Sequence, residues 1–329
     1  MLQRVVSLAV GLLTVSFGAA QAADTIPIKP EPGTVKIGVQ PWLGYGPWHI
    51  AAAKGIFKKN GLDDVQIVNF SEQKDIDAAM AGGQLDVESV PTHSALVVAQ
   101  AGTPLKIVLL LDFSLKADAI MAKGVDSVKD FKGKQVAFEE GSTSDVLINY
   151  ALAQNGMSIN DIQRVPMPAA QAGSALIAGQ VPISVTYEPY LTVALGQDKA
   201  AKIVYSAGED PGLISDVLTV HEDMIKKKPG QILALIKSWD EALAFYRANE
   251  KEGRAIIAKA VGSTPEELAT AFDGVQFYSV AENAQHLGTD FESKTIKDVA
   301  KAAKAAKILQ SDDVPAGFID SSFVEAAGK

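Results

Sequence analysis

The sequence predicts an α/β fold with two similar lobes. Three observations support this: short apolar strands alternate with amphipathic helices, one set of landmarks occurs twice in the same order, and 329 residues exceed what one core usually organises. Strands that alternate with helices favour a parallel sheet with helices on its faces. We therefore expect each lobe to be a mostly parallel sheet flanked by helices.

The first unit follows the alternation closely. Its predicted elements are, in order, a strand at 34–40, a helix at 48–57, a strand at 66–70, a helix at 76–81 and a strand at 85–90. The first helix is expected to stop at Lys59-Asn60-Gly61 and the second at Gly82-Gly83, because glycine at a helix end accepts the left-handed conformation.

The same landmarks return about a hundred residues later. Gln84-Leu85-Asp86-Val87 after Gly83 is echoed by Gln180-Val181-Pro182-Ile183 after Gly179. Upstream, 36–40 is echoed by 135–139, Asn60-Gly61 by Asn155-Gly156, and 66–68 by 163–165. Several landmarks in one order indicate two related units, and hence two similar lobes.

Extended segments connect the two units. Residues 109–112 and 118–122 are expected to carry the chain from the first lobe to the second, and 203–206 and 216–220 to carry it back. Amphipathic helices at 232–247 and 296–308 would then complete the first lobe. The predicted boundaries are 24–117 with 218–329 for the first lobe and 118–217 for the second. Two lobes joined by two crossing strands form a hinged clamp.

The chain begins like an export signal. Arg4 supplies a positive charge, residues 5–17 are apolar, and Ala20-Gln21-Ala22 resembles a cleavage site, so residues 1–23 are predicted to be a cleaved signal peptide. A transmembrane helix is the alternative, but the apolar run is shorter than the roughly 20 residues that a bilayer needs. The sequence contains no cysteine, so neither lipid attachment nor a disulfide is expected. We expect a free periplasmic protein without membrane insertion.

Composition narrows the class of partner. Apolar residues make up 47% of the chain, which excludes disorder, and the net charge of −9 argues against a nucleic-acid partner. Acidic and basic residues are interspersed, as on a soluble surface. Nothing in the sequence indicates oligomerisation, so a monomer is expected.

The first candidate site is the loop after the first strand. Ligands of open parallel sheets bind beyond the carboxyl ends of strands, where helices present unpaired N–H groups. Residues 40–48 contain two glycines and two of the three tryptophans. We expect Gln40 near the strand end and Trp42 and Tyr45 in a pocket wall. The alternative is that the tryptophans only cover the sheet edge.

The second unit offers a matching loop at Glu139-Glu140-Gly141-Ser142-Thr143. Ser142 and Thr143 begin a predicted helix, where they can cap it and also direct hydroxyls and amides at a ligand. Capping without ligand contact is the alternative. Strand parity decides whether Glu139 or Glu140 faces the cleft, and the sequence leaves this open.

The third strands of the two units end in polar residues that the repeat places opposite each other, Thr92 and Glu188. The crossing segments add Asp112, Ser114, Asp118 and Asp216. The candidate ligand-binding residues are Gln40, Trp42, Tyr45, Thr92, Asp112, Glu139, Glu140, Ser142, Thr143, Glu188 and Asp216.

No catalytic constellation emerges from the sequence. The four histidines at 49, 93, 221 and 286 lack metal-ligand spacing, and no nucleophile elbow, phosphate loop or dinucleotide fingerprint is present. We expect no catalytic residue, metal or cofactor, which favours binding over catalysis.

Several motifs together carry a family resemblance over the whole mature chain. They are Val39-Gln40-Pro41-Trp42, His49-Ile50-Ala51-Ala52-Ala53-Lys54-Gly55-Ile56-Phe57, Met80-Ala81-Gly82-Gly83-Gln84-Leu85-Asp86-Val87, Leu111-Asp112-Phe113-Ser114, Val136-Ala137-Phe138-Glu139-Glu140-Gly141-Ser142, Ala178-Gly179-Gln180-Val181 and Thr186-Tyr187-Glu188-Pro189-Tyr190. The chain resembles the periplasmic solute-binding proteins of the nitrate, sulfonate and taurine importer family, which are related to the thiamine-pyrimidine synthase-like proteins.

The resemblance implies a type II, two-lobed periplasmic binding protein with a double hinge crossover. Such a protein is the substrate-binding component of an ABC importer and delivers a small molecule to an ATP-driven permease. The pocket positions of the family fall on Trp42, Tyr45, Ser142, Thr143 and Glu188.

The charged residues of the proposed cleft differ from those expected of an anion-binding site. The proposed cleft is rich in Asp and Glu and holds no Arg, whereas a nitrate or simple sulfonate site favours Arg or Lys. Carboxylates and aromatic rings suit a cation or zwitterion. A taurine-like, guanidinium or other small amine compound is therefore favoured over nitrate or an aliphatic sulfonate. A pyrimidine-synthase-like enzyme, which the export signal and lack of cysteine disfavour, and a ligand sensor of the same fold are the alternatives from other classes.

Overall fold

The computed structural model describes residues 26, 27 and 29–329, so the predicted signal peptide lies outside the described residues. The strands are β1 Thr34–Val39, β2 Asp64–Asn69, β3 Val87–Pro91, β4 Leu105–Ser114, β5 Asp118–Lys123, β6 Gln135–Phe138, β7 Gln163–Pro166, β8 Ile183–Tyr187, β9 Ala201–Ser206, β10 Ser215–His221 and β11 Val275–Phe277.

Helices flank both sheets. They are α1 Gly46–Ala53, α2 Ile56–Lys59, α3 Gln73–Ala81, α4 Thr92–Gln100, α5 Thr143–Gln154, α6 Ala169–Ile177, α7 Tyr190–Gln197, α8 Glu222–Lys227, α9 Pro229–Ala248, α10 Glu250–Ala260, α11 Val280–His286, α12 Ile296–Ala305 and α13 Ser322–Ala327. A π-helix, Leu287–Thr295, joins α11 to α12. Among the described residues, none of these helices is long and apolar enough to cross a membrane.

The strands form two sheets, one in each lobe. The first sheet has the order β11-β4-β10-β3-β1-β2, and the second has the order β7-β6-β8-β5-β9. We call the part built on the first sheet the first lobe and the part built on the second sheet the second lobe. The chain crosses between β4 and β5 and returns between β9 and β10, which confirms the predicted double crossover.

The predicted repeat is confirmed in the strand pairing. In the first lobe β1 lies between β2 and β3 with all pairs parallel, and in the second lobe β6 lies in the same way between β7 and β8. Ile37 pairs with Val87 as Val136 pairs with Ile183, so the third strand pairs with the first strand in the equivalent register in both units.

Two details differ from the sequence prediction. The sheets are mixed, because each lobe also contains a strand that arrives from the other lobe and pairs antiparallel: β10 beside β3, and β5 beside β8. The helix predicted at 48–57 is broken into α1 and α2 by Gly55, whose φ of 69° lies in the left-handed region. A helix cannot continue through that conformation.

The core of the first lobe is centred on Trp48 in α1. Its ring is stacked on Phe57 and packs against Trp239 of α9, with centroids 6.2 and 4.8 Å away. The indole Nε1 donates to Ser89 Oγ at 2.9 Å, so the one polar atom of this fully buried side chain is satisfied. This contact fixes α1, and therefore the loop before it, against the sheet.

We expect Trp48→Ala to lower the free energy of unfolding by about 3–5 kcal/mol, because it leaves a large cavity and an unpaired Ser89 hydroxyl. Val193→Ala, at a side chain that is 40% exposed, should change it by less than about 0.5 kcal/mol. Urea unfolding followed by circular dichroism measures both. Equal effects of the two substitutions would contradict the central role of Trp48.

Candidate functional site

A small cavity lies between the lobes, where strand ends from both sheets meet. Its volume is about 20 Å³, far below the roughly 300–1,000 Å³ of usual ligand pockets. The lobes therefore lie in contact around it. The lining residues are Gln40, Trp42, Tyr45, Pro91, Asp118, Thr143, Tyr187, Ile214 and Asp216.

Two aspartates occupy equivalent places in the two lobes. Asp118 begins β5, which crosses into the second lobe, and Asp216 is near the start of β10, which returns to the first. Asp118 pairs with Tyr187 at the end of β8, and Asp216 pairs with Pro91 at the end of β3. The crossing strands thus bring one carboxyl group from each lobe to the same cavity.

A third carboxyl group lies directly behind the cavity. Asp112 of β4 is the cross-strand partner of Asp216, and like charges in that position repel each other. Trp42 Nε1 donates to Asp112 with both N–O distances at 3.3 Å, and the Tyr45 hydroxyl donates to Asp216 Oδ1 at 2.5 Å. A Cβ at Gly44 would lie 2.1 Å from Asp112 Oδ2, so only glycine permits this approach.

The pKa values of all three carboxyl groups are raised. Burial raises the pKa of Asp118 to about 7, with a smaller contribution from Glu188, and burial with repulsion from Asp118 raises the pKa of Asp216 to about 7. Burial and the neighbouring Asp216 raise the pKa of Asp112 well above its ordinary value. Among the described residues that line the cavity, none is Lys, Arg or His.

Aromatic rings from both lobes form the other wall. Trp42 meets Tyr187 edge to face, with ring centroids 5.9 Å apart and an interplanar angle of 82°. Tyr187 in turn packs against Tyr190, with centroids 5.5 Å apart. A wall of this kind offers π-faces next to carboxyl groups, which is the chemistry that attracts organic cations.

Five of the predicted residues line the cavity and a sixth supports it. Gln40, Trp42, Tyr45, Thr143 and Asp216 line it, and Asp112 lies behind Asp216 and Trp42. Thr143 is the first residue of α5 and lines the cavity together with Asp118, so it serves the site and the helix together.

The other five predicted residues make contacts elsewhere. Thr92 Oγ1 donates to the Ser215 carbonyl at 3.1 Å, and Ser142 caps α5 by accepting from Ser144 N at 3.1 Å. Glu188 accepts hydrogen bonds from the backbone N–H and the hydroxyl of Thr192, which lies in the first turn of α7.

The side chains of Glu139 and Glu140 point to different surroundings. Glu139 is buried and accepts from backbone N–H groups at Gln73 and Ala169, whereas Glu140 is exposed and pairs with Arg164 at 2.9 Å. Neither lines the cavity between the aspartates.

Sequence reasoning left four lining residues out of the candidate set, namely Pro91, Asp118, Tyr187 and Ile214. Asp118 and Tyr187 carried a signal, because the repeat makes Tyr187 the counterpart of Pro91 and makes Asp118 the counterpart of Asp216. Using the repeat for the crossing strands as well as for the parallel strands would have found them. The described residues contain no cluster of three or more His, Asp or Glu able to hold a metal ion.

Two α/β lobes, joined by two crossover segments and closed on a polar cavity, define the class of two-lobed solute-binding proteins. A family model described as the NMT1-like family matches residues 28–262. The chain belongs to this family, and the predicted resemblance is confirmed. It is a solute-binding protein of the ABC importer type and not an enzyme.

Individual relatives agree with this class. The chain is 26% identical over 269 residues to a putative aliphatic sulfonates-binding protein of Escherichia coli K12, covering 80% of this chain and 81% of the relative. The structure of an alkanesulfonate-binding protein from Xanthomonas axonopodis pv. citri is similar, with a TM-score of 0.72, 20% identity and coverage of 88% and 99%. A periplasmic nitrate-binding protein from Synechocystis PCC 6803 has a TM-score of 0.62, 17% identity and coverage of 87% and 93%.

The buried aspartates make stability depend on pH. The folded-state pKa of Asp118, about 7, lies above its ordinary value of 3.8, so the folded protein keeps a proton that the unfolded chain loses. The resulting stabilisation is present below about pH 4 and is lost as pH rises through about 7. We expect the melting temperature of Asp118→Asn to rise relative to wild type from pH 5 to pH 8, by about 2–4 °C for each kcal/mol.

The comparison needs a matched control, because buried histidines also titrate. They are common to both proteins and cancel in the difference between the variant and wild type. Asp63→Asn removes an exposed carboxylate, so its difference from wild type should stay constant over the same pH range. The same trend in both variants, or none in Asp118→Asn, would show that Asp118 does not carry this dependence.

Proposed function

We propose that this solute-binding protein captures a small cation or zwitterion, such as a taurine-like, guanidinium or other small amine compound, and delivers it to its permease. The observation that carries the proposal is the arrangement of Asp112, Asp118 and Asp216 around a cavity whose lining residues include no basic side chain. Buried carboxyl groups without a cation are costly, and a bound cation offsets that cost.

The aromatic wall supports the same chemistry. Trp42 comes from the first lobe and Tyr187 from the second, so a solute between the lobes would contact both. A desolvated cation–π contact contributes about 2 kcal/mol. Because the rings belong to different lobes, this contribution is complete only when the lobes are closed.

The small size of the cavity implies that the two lobes must open to admit a solute and then close around it. A volume of about 20 Å³ holds little more than one water molecule, so a solute of several heavy atoms requires the lobes to separate and then close around it. A solute that contacts both lobes favours the closed state by its differential affinity.

An anion is the second candidate, and the names of the relatives favour it. Protonated aspartates are hydrogen-bond donors, and the first turn of α5 at Thr143 adds backbone N–H groups. An aliphatic sulfonate or nitrate would then be held by neutral acids in place of arginine. Anion binding therefore requires the aspartates to keep their protons, whereas a bound cation would displace them.

The two candidates predict opposite effects of pH. A cation replaces a proton at Asp118 or Asp216, so its dissociation constant should fall as pH rises from 5.5 to 8, by up to about tenfold for each displaced proton per pH unit. An anion held by protonated acids should bind more weakly over the same range. Isothermal titration calorimetry in two buffers of different ionisation enthalpy measures the affinity and the protons released.

Substitution at the aspartates tests the proposed site directly. A solute at about 100 times its dissociation constant stabilises the folded protein by about 2.7 kcal/mol. We expect amines, guanidinium compounds or taurine to raise the melting temperature of wild type, and Asp118→Asn and Asp216→Asn to lose most of that rise.

Asp63→Asn is the exposed control and should keep the full rise. Nitrate and alkanesulfonates belong in the same panel. Stabilisation by these anions alone would overturn the cation proposal and leave the solute-binding class unchanged.

We propose further that the chain is exported after cleavage of residues 1–23, acts as a periplasmic monomer, and divides into lobes close to the predicted bounds of 24–117 with 218–329 and 118–217, with residues 215–217 of β10 counted to the first lobe. Support comes from the signal-like start of the sequence and from the crossover segments between β4 and β5 and between β9 and β10. A sensor would use the same clamp, and co-purification with a permease rather than with a signalling receptor separates the two roles. Mass spectrometry of the secreted protein tests the cleavage.

A further inference from the structure

The loop after β6 holds the two lobes together at a second place, outside the ligand cavity. Glu139 in this loop is 8% exposed. Its carboxylate accepts from Gln73 N of the first lobe at 3.3 Å and from Ala169 N of the second lobe at 3.0 Å. Each oxygen therefore serves a different lobe.

The two donors occupy equivalent positions in the repeat. Gln73 is the first residue of α3 and Ala169 the first residue of α6, the helices that precede the third strand of each unit. Both helices have nine residues, and backbone N–H groups in the first turn of a helix have no partner within it. One carboxylate thus satisfies the same unpaired group in both lobes, where the helix dipoles also favour a negative charge.

A second contact comes from the same loop. His93, the second residue of α4 in the first lobe, lies with Nε2 3.3 Å from the carbonyl oxygen of Gly141. The loop itself is held by Ser142, whose hydroxyl donates to the Glu139 carbonyl at 2.8 Å. The loop from Glu139 to Ser142 is therefore fixed within its own lobe and bound by two helices of the other.

We infer that Glu139 is a closure latch: its carboxylate sets the balance between open and closed lobes by bridging the first turns of α3 and α6. The position in the first lobe that corresponds to Glu139 is Gln40, which lines the ligand cavity instead. Only the second lobe supplies the bridging charge. The latch acts with or without a solute, so this inference goes beyond the proposed function.

Pairs of spin labels measure the balance directly. The chain has no cysteine, so Lys58→Cys on α2 and Gln171→Cys on α6, both exposed, give one label in each lobe. Double electron–electron resonance without added solute should show a short-distance closed population in otherwise wild-type protein. Loss of a hydrogen bond to a charged group should raise the open-to-closed ratio about tenfold in Glu139→Ala.

Two matched pairs isolate the latch. Glu140→Gln removes the adjacent charge, which pairs with Arg164 inside the second lobe, and should leave the distances unchanged. Gln73→Pro deletes the backbone donor, whereas Gln73→Ala deletes only the side chain, and proline is tolerated at the first position of a helix. We expect Gln73→Pro to open the lobes more than Gln73→Ala does.

Far-UV circular dichroism confirms that each variant folds, and the Gln73 pair serves as the test if Glu139→Ala does not. The inference is overturned if the closed population is missing from the wild-type background. It is also overturned if Glu139→Ala matches Glu140→Gln, or if Gln73→Pro matches Gln73→Ala. Because no solute is present, these outcomes are independent of which compound the cavity binds.

Discussion

Each lobe is completed by a strand that arrives from the other lobe, and the geometry of the site depends on that pairing. Strand β10 lies antiparallel beside β3, and β5 lies antiparallel beside β8. An antiparallel neighbour begins where a parallel strand ends. The first residues of the crossing strands therefore meet the carboxyl ends of the parallel strands at the cavity.

This arrangement concentrates acidic groups where the protein can least solvate them. Asp118 and Asp216 are brought together by the pseudo-symmetry of the crossing strands, and Asp112 joins them through the β4–β10 register. Burial then raises the pKa of Asp118 and that of Asp216 to about 7. A cluster so costly to the folded chain is typical of a functional site, because a bound ligand supplies the missing partner.

Two layers of contact between the lobes differ in chemistry, an inner one at the cavity and an outer one at the loop after β6. The inner layer is aromatic and acidic, where Trp42 of one lobe meets Tyr187 of the other. The outer layer uses backbone groups, where Glu139 bridges Gln73 and Ala169. A solute would contact the inner layer, whereas the hydrogen bonds of the outer layer form whenever the lobes close, with or without a solute.

The sequence by itself determined the strand and helix order, the duplicated unit and the aromatic loop around Trp42. These features follow from local periodicity, glycine punctuation and motif order, which neighbouring residues encode. The tertiary structure alone decided that Glu188 does not line the cavity and that Glu139 reaches Gln73. Strand parity, antiparallel pairing of crossing strands and contacts over 66 residues arise only when distant segments pack, because no local pattern specifies which side chains will then share a space.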